Sequence, residues 1–264
     1  MIEVLDQKDL NKITTLQPED WKDIINPFSF YIQNPYCYPV KFIHKKNIVG
    51  LGCGIVNGNT SWLAHIIVDK KIRGQGIGSQ ITEFLIQFLK NKGCDTILLL
   101  ATKLGESVYR KFGFIEESEY LFMKGDSSEV PCSRKIKPYQ KKFINQVLAL
   151  DHEISGEMRS HLIISQLSSS QIYLSNDKVE GFFLPMLGEG LIYATSYDAG
   201  KELLIYKLSN SITKNVLPST NKSGVTILKD LGFVEYSRCL RMFYGRKIEW
   251  QPENIFSRIG GNMG

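Results

Sequence analysis

The chain has 264 residues, 43% of them apolar and 22% charged, with a formal net charge of +5. That balance is ordinary for folded protein, and the length points to two domains rather than one. The modest positive charge comes with no recognised nucleic-acid module, no apolar run reaches the length of a membrane span, and cysteines at 37, 53, 94, 132 and 239 have neither metal-binding spacing nor the even count of a disulfide framework. The start of the chain lacks a basic segment followed by an apolar core, so the expectation is a cytoplasmic protein without metal, nucleic acid or membrane partners.

In chain order, the pattern predicts a helix near 10–25, strands near 39–45 and 47–56, an Asn57-Gly58-Asn59 turn and an apolar strand over Trp62–Val68. A glycine-dense turn follows, then a helix with apolar residues at Ile81, Phe84, Leu85, Phe88 and Leu89, stopped at Gly93. A strand over Thr96–Ala101 and a short helix lead to Gly113-Phe114. The polar stretch from Gly125 to Pro138 contains two prolines and little periodicity, which suggests domains at 1–126 and 141–264 joined by a linker over 127–140. Downstream, a helix is expected over about 144–167, strands near 171–174, 179–185 and 191–195, and a helix near 199–209.

The turn Val68-Asp-Lys-Lys-Ile-Arg73-Gly74-Gln75-Gly76-Ile77-Gly78 carries the most chemical information. Glycines at 74, 76 and 78 let backbone N–H groups approach a ligand, and the positive end of the helix dipole favours an anion there. No Gly-Lys-Ser/Thr ending is present, and Ser79 stands where the dinucleotide fingerprint needs glycine, so two familiar phosphate loops are excluded. Lys70 and Lys71 beside Arg73 give a local positive field suited to phosphates.

The remaining run, Arg73-x-x-Gly76-x-Gly78, together with Tyr109-Arg-Lys-Phe-Gly113-Phe114, resembles the GNAT superfamily of acetyl-CoA-dependent N-acetyltransferases. The resemblance covers about 60–115 and implies an α+β fold, a three-layer arrangement with a mixed, mainly antiparallel sheet flanked by helices. It implies acetyl-CoA as acyl donor, bound by Ile66, Ile67 and Val68 through backbone amides and by Arg73, Gly74, Gln75, Gly76, Ile77, Gly78 and Ser79 at its phosphates. Tyr109 would contact the cofactor sulfur and act as general acid, although a helix tyrosine packing its ring is the plainer reading of the residue itself. His65 lies on the same strand as a candidate base, beside water-relayed deprotonation. Thr102 and Gly105 depart from the asparagine and alanine usual in the family.

The second half repeats the first. Thr102-Lys-Leu-Gly105 through Phe114 aligns with Asn221-Lys-Ser-Gly224 through Phe233, matching at lysine, both glycines and phenylalanine. Leu228 replaces Tyr109, and the glycine-rich loop has no counterpart between Ala194 and Gly200. Asp151, Arg159, Gly188-Glu189-Gly190, Asn221, Arg241-Met242 and Tyr244-Gly245 resemble the C-terminal domain of tandem-GNAT bacterial acetyltransferases, with Asp151, Arg159 and Glu189 as candidate acceptor-cleft residues. The functional expectation is acetyl transfer to a primary amine of a small molecule, by a monomer acting as a pseudo-dimer or by a homodimer. A non-catalytic acetyl-CoA sensor and a protein-lysine acetyltransferase are the other readings.

Overall fold

A computed structural model describes residues 1–19, 21, 23–126, 134–209 and 212–264. The chain divides into two compact units that are not contiguous in sequence: the first is 1–115 with 242–247 and 261–263, the second 116–241 with 248–260 and 264. No helix among the described residues is long and apolar enough to cross a membrane.

The first unit contains strands β1 (Ile2–Val4), β2 (Cys37–His44), β3 (Asn47–Asn57), β4 (Thr60–Val68) and β5 (Thr96–Ala101). These lie in the order β1-β2-β3-β4-β5, antiparallel as far as β4 and parallel between β4 and β5. Its helices are α1 (Ile25–Gln33), α2 (Ile77–Asn91) and α3 (Glu106–Lys111). The expected helix near 10–25 is instead a 3-10 helix over Gln7–Leu16, and α1 begins only at Ile25. Pro18 is the physical reason, because the residue before a proline is driven out of helical geometry, and Gln17 is extended at φ −54, ψ 117. Asp23 then supplies carboxylate acceptors to the N–H groups of Ile25 and Asn26 where α1 starts.

Helix α2 sits close against β3 because Gly50, Gly52 and Gly54 alternate along the facing side of that strand. A Cβ at Gly52 would lie 2.7 Å from Ile81 and 3.0 Å from Leu85, and one at Gly54 would lie 2.9 Å from Leu89. The strand period of two thus meets a helix row spaced by four, Ile77, Ile81, Leu85 and Leu89, all buried. Phe84, expected on the buried face, is 41% exposed.

The second unit contains a five-stranded sheet in the order β13-β10-β9-β8-β7, with all neighbours antiparallel. Its strands are β7 (Ile136–Pro138), β8 (Gln171–Ser175), β9 (Lys178–Leu184), β10 (Leu191–Ala194) and β13 (Ile255–Ser257). Strand β6 (Ile115–Lys124) pairs with β11 (Lys214–Pro218). This pairing is why the second unit begins at Glu116 rather than after the expected boundary at 126. The later part of the expected linker holds β7, paired with β8, while 127–133, including Cys132, lies outside the described residues.

The helix expected over 144–167 is two, α4 (Ile144–Ser155) and α5 (Ser160–Ile164), separated by the left-handed cap Gly156. Arg159 therefore stands at the start of α5 and not within the first helix. Helices α6 (Tyr197–Leu208) and α7 (Lys222–Asp230) and strand β12 (Val234–Gly245) complete the elements. Leu203, Leu204, Ile192, Phe183, Leu217 and Leu228 belong to the core of this unit.

Candidate active site

Strand β4 ends at Val68, and the chain turns immediately. The Asp69 carboxylate accepts from the Lys71 N–H at 2.9 Å, and Arg73 Nε donates back to the Val68 carbonyl at 3.0 Å, which braces the loop against the strand it has just left. Gly74 and Gly76 both have left-handed φ, +80° and +79°. Gly76 is the N-cap of α2, and no side chain caps the helix. The N–H groups of Ile77, Gly78 and Ser79 therefore have no acceptor within α2, whose first closing bond is Gln80 N–H to Gly76 C=O. A Cβ at 74 or at 76 would meet nothing within 4 Å, so the space beside these two glycines is open. Gly78 faces Val68 instead, with a Cβ 3.6 Å from its methyl group. Of the neighbouring lysines, Lys70 is paired with Glu19. Hydrogen bonding to Lys70 also holds the Glu19 carboxyl below its ordinary pKa.

On the other side of Val68, β4 is bulged. Leu51 pairs with Ile67 and Cys53 with Ala64, so Gly52 on β3 stands opposite two residues of β4, His65 and Ile66. The extra residue is accommodated by a left-handed φ of +50° at His65. Pairing of β4 with β5 is confined to Thr60–Trp62 against Thr96–Leu98. From Leu63 to Val68 that edge of β4 has no strand partner among the described residues, and apart from the Val68 carbonyl, which accepts from Arg73, its backbone groups suit an extended ligand.

The His65 ring is packed among Trp21, Phe28 and Tyr31, with centroids at 5.5, 5.8 and 5.6 Å. Its Nδ1 is 2.7 Å from the Tyr31 hydroxyl, and Asn262 Nδ2 donates to that same hydroxyl at 2.7 Å. Burial pushes the imidazole down to about 4, so the ring is neutral near pH 7. A pKa this low makes the ring a weak base, and its Nδ1 is already engaged by the Tyr31 hydroxyl.

Tyr109 lies on α3, which follows β5 in the chain. Its ring stands over Gly105, where a Cβ would lie 2.9 Å from Cε2, and packs edge-on against Phe114 at 5.8 Å. The glycine that departs from the family pattern thus gives the tyrosine its room. Burial pushes the phenol up to about 12, which keeps it protonated and able to donate.

The second unit treats the corresponding strand differently. Strand β10 is paired on both edges, with β9 on one side and β13 on the other. Strand β13 is held on its far side by β11, through Asn215 Nδ2 to Phe256 C=O at 2.9 Å and Arg258 N–H to Val216 C=O at 3.0 Å. The buried ammonium of Lys207 donates to Gly190 C=O, Asn215 Oδ1 and Ser257 Oγ, which ties α6 to the same strands. Leu228, at the Tyr109 position, is fully buried, and Asn221 caps α7 by accepting from Gly224 N–H. The slot that stays open beside β4 is filled beside β10 by the chain's own β13. Calorimetric titration of the protein with acetyl-CoA is expected to give one site per chain, and two sites would contradict this comparison of the strands.

The candidate cleft residues of the second half are engaged internally. Arg159 Nη2 donates to Asp151 at 2.8 Å and to the Tyr193 hydroxyl at 2.7 Å, all three groups being buried. Burial raises the Asp151 carboxyl above its ordinary pKa, against the pull of Arg159. Glu189 accepts from Arg258 at 2.9 and 3.0 Å. Tyr31, Asn262 and β13 leave no local signal in the sequence, because each acts through partners distant in the chain.

Residues 7–114 match the model of the acetyltransferase (GNAT) family, and residues 147–257 match that of an acetyltransferase (GNAT) domain. An uncharacterized N-acetyltransferase of Bacillus subtilis (strain 168), YobR, is 31% identical over 85 residues, covering 31% of this chain and 34% of its own. The Oryza sativa subsp. japonica protein named "Probable glucosamine 6-phosphate N-acetyltransferase 2" is 28% identical over 80 residues, 28% of this chain and 48% of its own. The matched region thus spans about a third of one curated relative and about half of the other. A solved structure from Pyrococcus horikoshii superposes with a TM-score of 0.84 at 19% identity, over 100% of this chain and 95% of that one, which shows a shared fold. Two matches to the same family, one in each half, make the chain a tandem member of the GNAT family.

Proposed function

We propose that the protein transfers acetyl from acetyl-CoA to a primary amine of a small molecule by direct attack, using the first unit as its catalytic site. The observation that carries this reading is the placement, end to end along one strand, of an unpartnered and bulged edge of β4 and an uncapped helix N-terminus behind open glycines. The edge suits the extended pantetheine arm, and the helix N-terminus suits the pyrophosphate. In the reaction the amine lone pair attacks the thioester carbonyl carbon, forming the C–N bond, and a backbone N–H within Ile66–Val68 holds the oxyanion. The C–S bond then breaks, Tyr109 donates a hydrogen bond to the sulfur as negative charge develops on it, and the proton lost by the amine passes through water to the thiolate.

The name of the rice relative specifies an amino-sugar phosphate, so amino sugars and their phosphates head the acceptors to be tried. Thiol release from acetyl-CoA by the purified protein is to be followed with amino sugars, amino acids, polyamines and lysine peptides in separate pools. Release that depends on a small amine is expected. Release with lysine peptides alone would move the acceptor to protein, and cofactor binding without release in any pool would overturn catalysis at this site.

A further inference from the structure

The Tyr31 hydroxyl is buried, lies 2.7 Å from both Asn262 Nδ2 and His65 Nδ1, and has only one hydrogen to give. Asn262 Nδ2 is a donor, so the tyrosine oxygen accepts there and its hydrogen is left for His65 Nδ1. A neutral imidazole that accepts at Nδ1 carries its proton on Nε2. The ring is neutral, since burial holds its pKa at about 4. The arrangement is internal to the first unit, to which 261–263 belong, although Asn262 is 231 residues from Tyr31 in the chain.

We propose that Asn262 is a positioning residue of the acyl-transfer site: acting through the Tyr31 hydroxyl, it holds His65 at the β4 bulge as the neutral Nε2–H tautomer. The inference rests on the reading of that bulge as the site of acyl transfer. A histidine held in this way has no lone pair left for a substrate proton, because Nδ1 accepts from Tyr31 and Nε2 already bears hydrogen. His65 is then an N–H donor that also fills the bulge, and deprotonation of the amine falls to water. The left-handed φ of +50° at His65 fits this role, since the contact to Tyr31 fixes a side chain on a backbone position that is otherwise strained.

The test is the tautomer itself, read from long-range nitrogen–proton correlations of the imidazole ring in the full chain without ligand. The His65 signals, among four histidines, are identified by their loss in His65→Gln. The wild-type protein is expected to show the Nε2–H pattern. Asn262→Asp is expected to lose it in favour of Nδ1–H, because a carboxylate only accepts and turns the Tyr31 hydrogen toward itself. A wild-type Nδ1–H pattern, or an Asn262→Asp pattern unchanged from wild type, overturns the proposal. Should Asn262→Asp fail to fold, Asn262→Ala decides: a mixed pattern supports the lock and an unchanged one overturns it. In thiol-release assays Asn262→Asp is expected to lower kcat with KM for acetyl-CoA unchanged, and an unaltered kcat would remove the positioning role. The ring spectrum needs no turnover, so an inactive wild-type protein would count against the proposed function while leaving the tautomer result to stand.

Discussion

Tyr109→Phe is expected to lower kcat by at least about a hundredfold, the lower end of what a positioned proton donor contributes, with the melting temperature and the KM for acetyl-CoA little changed. The substitution removes one oxygen and keeps the ring that stands over Gly105 and against Phe114, so the packing of α3 survives. The phenol is pushed up to about 12 by burial, whereas an ordinary thiol titrates near about 8.5, so complete proton transfer to a solvated thiolate would run uphill. The hydroxyl therefore acts chiefly by hydrogen-bonding the sulfur as charge develops on it, and the same burial that raises the phenol raises the basicity of the departing thiolate.

The direction of the Tyr109 shift also fixes a pH dependence. A phenol with a raised pKa stays protonated as pH climbs, so the wild-type rate should show no loss from this group below about pH 10, and any loss belongs to the interval between the ordinary value near 10 and about 12. An inflection near pH 8 to 9 that vanishes in Tyr109→Phe would mean that the hydroxyl titrates early. Wild-type rates in the variant would end the acid assignment and leave the family membership intact.

How much of this site can be read from the chain depends on whether the cause is local. The glycines of the loop after β4 are legible because a left-handed φ beside open space has essentially one chemical solution. The strands on either side are legible through their apolar runs, and the Gly50, Gly52 and Gly54 alternation could have foretold the close seat of α2 had it been read at a period of two. The β4 bulge is not legible. Nothing in Ala64-His65-Ile66 announces it, since a non-glycine residue at φ +50° is imposed by the two-against-one register with β3. The Asn262 contact and the filling of the second slot by β13 are hidden for the same reason, because both depend on pairing across long stretches of chain. Asp151 and Arg159 show the converse: as residue types they suit a charged cleft, and only packing reveals a buried pair.

Gly76→Ala should separate the loop's chemistry from its shape, with Gly93→Ala as the matched control. Both glycines have left-handed φ, +79° and +84°, and a Cβ at either meets nothing within 4 Å. The conformational cost of alanine is therefore alike at the two positions, about 1 to 2 kcal/mol, and both variants should melt a few degrees lower, about 2 to 4 °C for each kcal/mol in a chain of this size. They differ in what the open space is for. At Gly76 it adjoins the N-terminus of α2, which no side chain caps and where the proposed pyrophosphate would sit, and at Gly93 it lies just beyond the other end of the same helix. Calorimetric titration is expected to show acetyl-CoA affinity at least about tenfold weaker in Gly76→Ala, a difference of about 1.4 kcal/mol, and unchanged in Gly93→Ala. Equal affinities in the two variants would mean that glycine at 76 serves the turn alone, and the anion site would then have to be sought away from the N-terminus of α2.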